Sequence, residues 1–376
     1  MRTLIRSGLA ALAVMASLPG SAGADVGPSG AGPGYFASPN VEWVTAIPLE
    51  TDTSGAKILD GYMYITTARW LAIYDISNPE APQRLGTVPL VLPQEPQFSE
   101  ENVDSNGEIL LVGATGTLNV IDVTDKGNPT IVGTLEGADQ HTISCVLDCT
   151  WAYGSGGIIV DLRDPTAPVM AGNWGQGNPA TTGHDVTEVS PGLVVTSSNP
   201  MMVLDARKDP ASPAVLALGS PPDDRFIHDN VWPRGGRDRF LLVGGESGGP
   251  SCGDEASAAF MVWDTKGWKK KHTFRMLDEY RVTDGLPTDG NALVHTFCSH
   301  WTEPHPTFKN GGLVAKAWYE HGTRFLRVTE DGQIEEEGYF LPVAGATSAA
   351  YWVTDEIVYA VDYQRGVDII RFTGTP

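Results

Sequence analysis

The stretch LAIYDISNPEAPQRLG, Leu71 to Gly86, decides the fold because it recurs. LNVIDVTDKGNPTIVG begins at Leu118, IIVDLRDPTAPVMAG at Ile158 and MMVLDARKDPASPAVLAL at Met201. Each copy is an apolar run closed by an aspartate (Asp75, Asp122, Asp161, Asp205). A polar turn follows, with a proline seven or eight residues on (Pro82, Pro129, Pro168, Pro213), and then a second apolar run. Units repeating at roughly 40 residues bury their apolar faces against one another rather than alone. The aspartates are expected to cap the turn through their side chains and the prolines to fix φ there, so both are read as structural.

Working outward, FMVWD (Phe260 to Asp264) opens a fifth copy. FLRVT (Phe325 to Thr329) is a sixth without the aspartate, and VDIIR (Val367 to Arg371) a seventh. Runs such as EILLVG, GLVVTSS, RFLLVGG and EIVYAVD are short, rich in branched residues and bounded by Gly, Pro, Asp or Asn, which reads as β-strand. Four such strands fit one propeller blade. The expectation is an all-β fold: a single seven-bladed β-propeller over residues 38–376, with insertions in the loops of blades five and six. The last copy stops at its third strand. ASPNVEWVTAIPLE (Ala37 to Glu50) is similar to ASPAVLALG from Ala211 and is expected to complete that blade, which removes two open edges.

Segments such as AIYDISNPEAP and IIVDLRDPTAP resemble the LVIVD repeat of secreted bacterial β-propellers. The resemblance implies the fold and a secreted setting. It carries little about activity, because this fold hosts unrelated functions.

Arg2 and Arg6, the apolar run Leu9 to Leu18 and the small residues Ala22-Gly23-Ala24 read as a signal peptide over 1–24, followed by a Gly/Pro-rich flexible leader over 25–37. No later run approaches the 18 apolar residues of a membrane span. A net charge of −21 argues against nucleic acid and anionic membranes as partners. The expected location is therefore secreted, extracellular or periplasmic. Four cysteines in an exported chain are expected to form disulfides, with Cys145–Cys149 and Cys252–Cys298 the favoured pairing of three.

Four of the eight histidines fall at one place in the repeat: QHTISCV, GHDVTEV, IHDNVWP and SHWTEPH put His141, His184, His228 and His300 at the start of the first strand of blades three to six. First strands line a propeller's channel, so these four should form an arc at one height. Converging imidazoles suit a transition metal, with Fe or Cu expected ahead of Zn. His321 and Glu320, on the next loop of blade six, and Glu101, in blade two, are candidate additional ligands or partners. The same four positions also suit a polar lining around ordered water, or hydrogen bonds between blades. His295 and His305 flank His300. His272 follows a lysine run and should be solvated. Trp301, Trp318, Tyr319 and Arg324 are candidates for a pocket wall, Trp318 rather for the blade core.

Carotenoid-cleavage oxygenases and selenium-binding-protein-like oxidases also carry propeller histidines that hold metal, and this chain is similar to them in that arrangement alone. Two functions follow as expectations. One is a metal-dependent oxidoreductase acting on a small molecule. The other is a non-catalytic scaffold presenting its loops to an extracellular protein or glycan. No phosphate-binding GxxxxGK[ST] appears in the sequence, and the Gly-rich stretch Gly244 to Ser257, the insertion of blade five, is not expected to join a strand to a helix.

Overall fold

The computed structural model describes residues 34–47, 53–91, 99–114, 116–138, 140–246, 258–282 and 298–375. Seven antiparallel sheets follow one another along the chain, each with four strands in meander order apart from two additions from the N-terminal side. Their first strands are Thr53–Leu59, Ser99–Ser105, Ile143–Val146, Asp185–Ser190, Ile227–Val231, Ser299–Pro304 and Thr347–Trp352. Each touches the next, and the last touches the first, so the first strands ring a central axis. This is the seven-bladed propeller expected from the repeats.

The closing strand is Val41–Ile47, which becomes the outer strand of blade seven. It pairs antiparallel with Gly366–Phe372, from Val41 opposite Phe372 to Ile47 opposite Val367. The Trp43 indole N–H donates to Asp368 at 2.9 Å across the same seam. Residues 48–50 of the expected strand lie outside the described residues, as do residues 1–33 with the signal segment. The leader boundary needs correction. Tyr35–Ala37 forms a fifth strand on blade six, paired with Phe340–Pro342. Its aromatics explain this: the Tyr35 ring packs 5.2 Å from Phe340, so the leader's composition gives way three residues early.

The repeat residues act as expected. The side chains of Asp75, Asp122, Asp161, Asp205 and Asp264 each accept the backbone N–H two residues on, at 2.8–3.1 Å. These are Asx-turns that end the third strand. In blade six the ladder puts Arg327 at that place, two residues before Thr329, because the third strand Gly322–Val328 is longer.

Two regularities tie neighbouring blades. Each fourth strand carries a β-bulge against the third, which bends it and raises its twist. Beside the bulge of blade one, a Cβ on Gly86 would lie 2.5 Å from the Lys126 carbonyl and 2.7 Å from Pro129, so only glycine admits the next blade's turn. Gly338 holds the same register in blade six and faces Ser38 and Asn40, so the N-terminal segment takes the turn's place. The apolar core is likewise shared: Leu71 and Ile73 of blade one bury against Leu110, Val112 and Ile121 of blade two.

Cys145 and Cys149 are disulfide-bonded across the hairpin of blade three, with Cα atoms 4.4 Å apart. Cys298 is buried and is not a free thiol; its expected partner Cys252 lies outside the described residues.

Deleting residues 35–47 should abolish cooperative thermal unfolding monitored by circular dichroism. It opens the edge of blade seven and uncovers Trp352, Ile370 and Phe372, a loss comparable to the ~5–15 kcal/mol stability of a whole domain. A well-folded deletion variant would show that closure does not hold the ring.

Acid stability follows from the Asx-turns. The Ser77 N–H holds Asp75 below the usual carboxylate range, the Thr124 hydroxyl does so for Asp122, and the Arg163 and Arg207 guanidinium groups do so for Asp161 and Asp205. Depressed folded values mean that this stabilisation is present above about pH 4 and lost as pH falls through them. The melting temperature should drop below pH 4, and a combined Asp122→Asn, Asp161→Asn, Asp205→Asn variant should show a flatter acid limb.

Candidate metal centre

The four histidines form the expected arc. Ring centroids are 4.5 Å apart for His141 and His184, 4.0 Å for His184 and His228, and 4.2 Å for His228 and His300. His184, His228 and His300 are buried, whereas His141, at the end of the arc, is exposed. The backbone explains the aim. His228 sits at a bulge between Ile227 and Asp229, and His300 at one between Ser299 and Thr302. A bulge leaves its residue outside the ladder and redirects its side chain.

Blade-to-blade hydrogen bonds set the ring nitrogens. His184 Nδ1 lies 3.1 Å from the His228 carbonyl, and His300 Nδ1 lies 2.6 Å from the Ser348 carbonyl. A carbonyl only accepts, so Nδ1 carries the proton and the neutral ring's lone pair is on Nε2. The inter-blade bonding and the metal-ligand readings of these histidines are therefore compatible, since they use opposite nitrogens.

A fifth residue, absent from the sequence reading, stands at the arc. Glu246 Oε2 lies 3.9 Å from both His184 Nε2 and His228 Nε2. These three residues each offer one ligand atom within 4.8 Å of the others, the one such group among the described residues. The Tyr319 hydroxyl orients the carboxylate by donating to Glu246 Oε1 at 2.5 Å. The Tyr319 ring in turn lies tilted against His300, with centroids 4.7 Å apart. Glu246 directly follows the second strand of blade five, Phe240–Gly245. That loop position is the one that drew notice to His321 in blade six, so the same topological argument reaches Glu246.

The other candidates fall elsewhere. His321 is buried against Arg324, whose Nη2 faces its Nδ1 at 3.4 Å. Burial and that guanidinium push its pKa down to about 4. Neither His321 nor Glu320 joins the ligand group. The side chain of Glu101 and the whole of His295 lie outside the described residues. His305 sits just past the far end of its strand, bonded to Thr307 and the Asp355 carbonyl. His272 is exposed, and Trp318 is fully buried in the core of blades five and six. Trp301 does line the site, 4.9 Å from His228.

Beneath the arc lies a buried charge pair. Lys316 Nζ donates to Asp229 at 3.1 Å, to Thr302 at 2.8 Å and to the His300 carbonyl, and neither charged side chain is solvent-exposed. Burial pushes the Asp229 carboxyl up, but Lys316 and His228 more than offset this and hold it below the usual range. Asp229 Oδ1 is 3.5 Å from His228 Nδ1, so it presents an acceptor to that ring's inner nitrogen. Asp185, against the same strand set, is pushed up to about 6 by burial. A lone lysine inside the apolar run GLVAKAW was the available signal for this pair.

Lys316→Met should cost roughly 3–5 kcal/mol in urea denaturation, because Asp229 is left as an uncompensated buried charge. Adding Asp229→Asn should recover a large part of that loss. An unchanged urea midpoint in Lys316→Met would show that the pair carries no net attraction.

The geometry can be set against known proteins. No curated protein matches the chain. Among solved structures, the β-propeller domain of Myceliophteria thermophila Cps50 (Swd1) superposes with a TM-score of 0.63 at 10% identity, covering 89% of this chain and 100% of that one. The WD40 β-propeller domain of Doa1 gives 0.58 at 10% identity, covering 88% and 97%. At these identities the likeness is one of fold alone. In the described residues no helix is long and apolar enough to cross a membrane. The LVIVD repeat model matches residues 51–88, which span blade one, so the chain is a seven-bladed β-propeller carrying an LVIVD repeat.

Proposed function

We propose that the arc holds a redox-active transition metal on His184, His228 and Glu246, with His300 and His141 beside it, and that the protein is an exported oxidoreductase acting on a small molecule. The observation that carries this is the Glu246 carboxylate facing the Nε2 atoms of two neighbouring histidines at equal distance. Two imidazoles and one carboxylate with room for further ligands is the donor set of non-haem iron, so iron is favoured over copper or zinc. Such an ion would supply oxygen or electron-transfer chemistry. The chain's own residues define the rest. Carbonyl acceptors fix the tautomers of His184 and His300, and Tyr319 orients Glu246. Phe226, Trp301, Tyr319 and Tyr363 surround the arc with aromatic rings, which suits a small apolar or aromatic substrate.

Elemental analysis after anaerobic reconstitution with ferrous iron tests this. About one equivalent should bind to the wild type. His184→Ala and Glu246→Ala should each retain less than ~0.1 equivalent after desalting, because the ion would lose a direct ligand. Tyr319→Phe should weaken binding by about 10–100-fold, as loss of an outer-shell partner does. Wild-type protein that binds no iron, copper or zinc would favour the non-catalytic scaffold, in which the loops serve an extracellular partner.

A further inference from the structure

A cleft of about 770 Å³ lies on the propeller face opposite the histidines, between blades five and six. Its lining includes Trp232, Arg237, Lys266, Trp268, Lys309 and Glu330. Two features mark it as a built site in an otherwise acidic chain.

The first is its departure from the repeat. The turn between third and fourth strands reads ISNPEAP, VTDKGNP, LRDPTAP and ARKDPASP in blades one to four, whereas blade five has TKGWKKKHTF and no proline. The turn between first and second strands is short in blades one and four and expands in blade five to WPRGGRDR. Both replacements fall on one face of one blade, and both bring cations. Arg234, Arg237, Lys266, Lys269, Lys270 and Lys271 are all exposed, and Lys309 of blade six joins them across the cleft. Loops remodelled on a repeating scaffold are where recognition resides.

The second is rigidity. Trp232 and Trp268 pack edge to face at 5.4 Å and are buried, pinning the two new loops together. The Trp232 indole donates to the Asp238 carbonyl at 2.9 Å. The Asp238 carboxylate accepts from the backbone N–H groups of Phe240 at 2.9 Å and Asn310 at 2.8 Å, which fastens blade five to blade six. Arg239 donates to the Glu330 carbonyl at 2.8 Å and closes the far wall. The Asp238 carboxylate is committed to the walls, and the exposed cations Arg237, Lys266 and Lys309 outnumber Glu330, the exposed acidic side chain that also lines the cleft. Positioning cations before a ligand arrives lowers the ordering cost of binding.

We propose that this cleft binds a polyanion bearing closely spaced phosphate or sulfate groups, with Arg237, Lys266 and Lys309 contacting adjacent groups and Lys269 to Lys271 extending the track. The site is independent of the histidine arc, which lies at the other end of the channel.

The test is calorimetric titration of the full chain, in about 50 mM salt with EDTA present, using inorganic tripolyphosphate in one arm and a heparin-derived sulfated oligosaccharide in the other. Binding in either arm supports the site, and the arm that binds more tightly identifies phosphate or sulfate as the source. Arg237→Ala combined with Lys309→Ala should weaken binding at least roughly tenfold, since two charge-assisted contacts are lost. Arg163→Ala, which removes an exposed cation of blade three, should leave it unchanged. Affinity should fall steeply as salt rises. Arg237 and Lys309 are exposed, so the circular dichroism melt of the double variant should match the wild type. No binding in either arm overturns the proposal, as does binding that survives the double substitution or is lost equally in Arg163→Ala.

Discussion

The seam between Val41–Ile47 and Gly366–Phe372 is the constraint on which the rest depends. A propeller blade has no core of its own, because its apolar faces are buried against its neighbours. If the seam opens, blade seven loses its outer strand and the apolar residues Trp352, Ile370 and Phe372 are uncovered. With the ring shut, the seven first strands lie at a common height around one axis. Equivalent residues of consecutive blades then become spatial neighbours, although they stand about 40 to 70 residues apart in the chain.

That geometry turns a repeat position into a site. His184 donates to the carbonyl of His228 one blade on, and His300 donates to that of Ser348. The blade-to-blade bond that stiffens the channel thus also selects the tautomer that presents Nε2. Below, Lys316 and Asp229 place a buried ion pair across blades five and six. Such a pair stabilises little over an apolar core but is costly to break, so it locks the relative position of the two blades carrying His228 and His300.

The two faces differ in composition. One carries the histidine arc, Glu246 and a rim of aromatic rings. The other carries the remodelled loops of blade five, with most of their charge positive. A fold built from copies makes such local departures visible, since each loop can be compared with its counterparts in the same chain.

Much of this was legible in the sequence. The Asp and Pro spacing of four copies, extended by the apolar runs at Phe260, Phe325 and Val367, set the blade count, the similarity of Ala37 to Glu50 with the fourth-strand segments predicted the closure, and the alignment of His141, His184, His228 and His300 predicted the arc. These are properties of a local pattern repeated, which a linear chain displays directly. The three strand residues at Tyr35–Ala37 were missed because their stability comes from an edge more than 300 residues away. Glu246 was missed because no motif marks a single carboxylate. It becomes a neighbour of two histidines only when the loop after Phe240–Gly245 is brought to the channel mouth by the closed ring. The bulges that aim His228 and His300, and the shift of the blade-six anchor from Thr329 to Arg327, are matters of strand register. Register is decided by pairing across the sheet and by the packing of neighbouring blades, so tertiary structure alone set them.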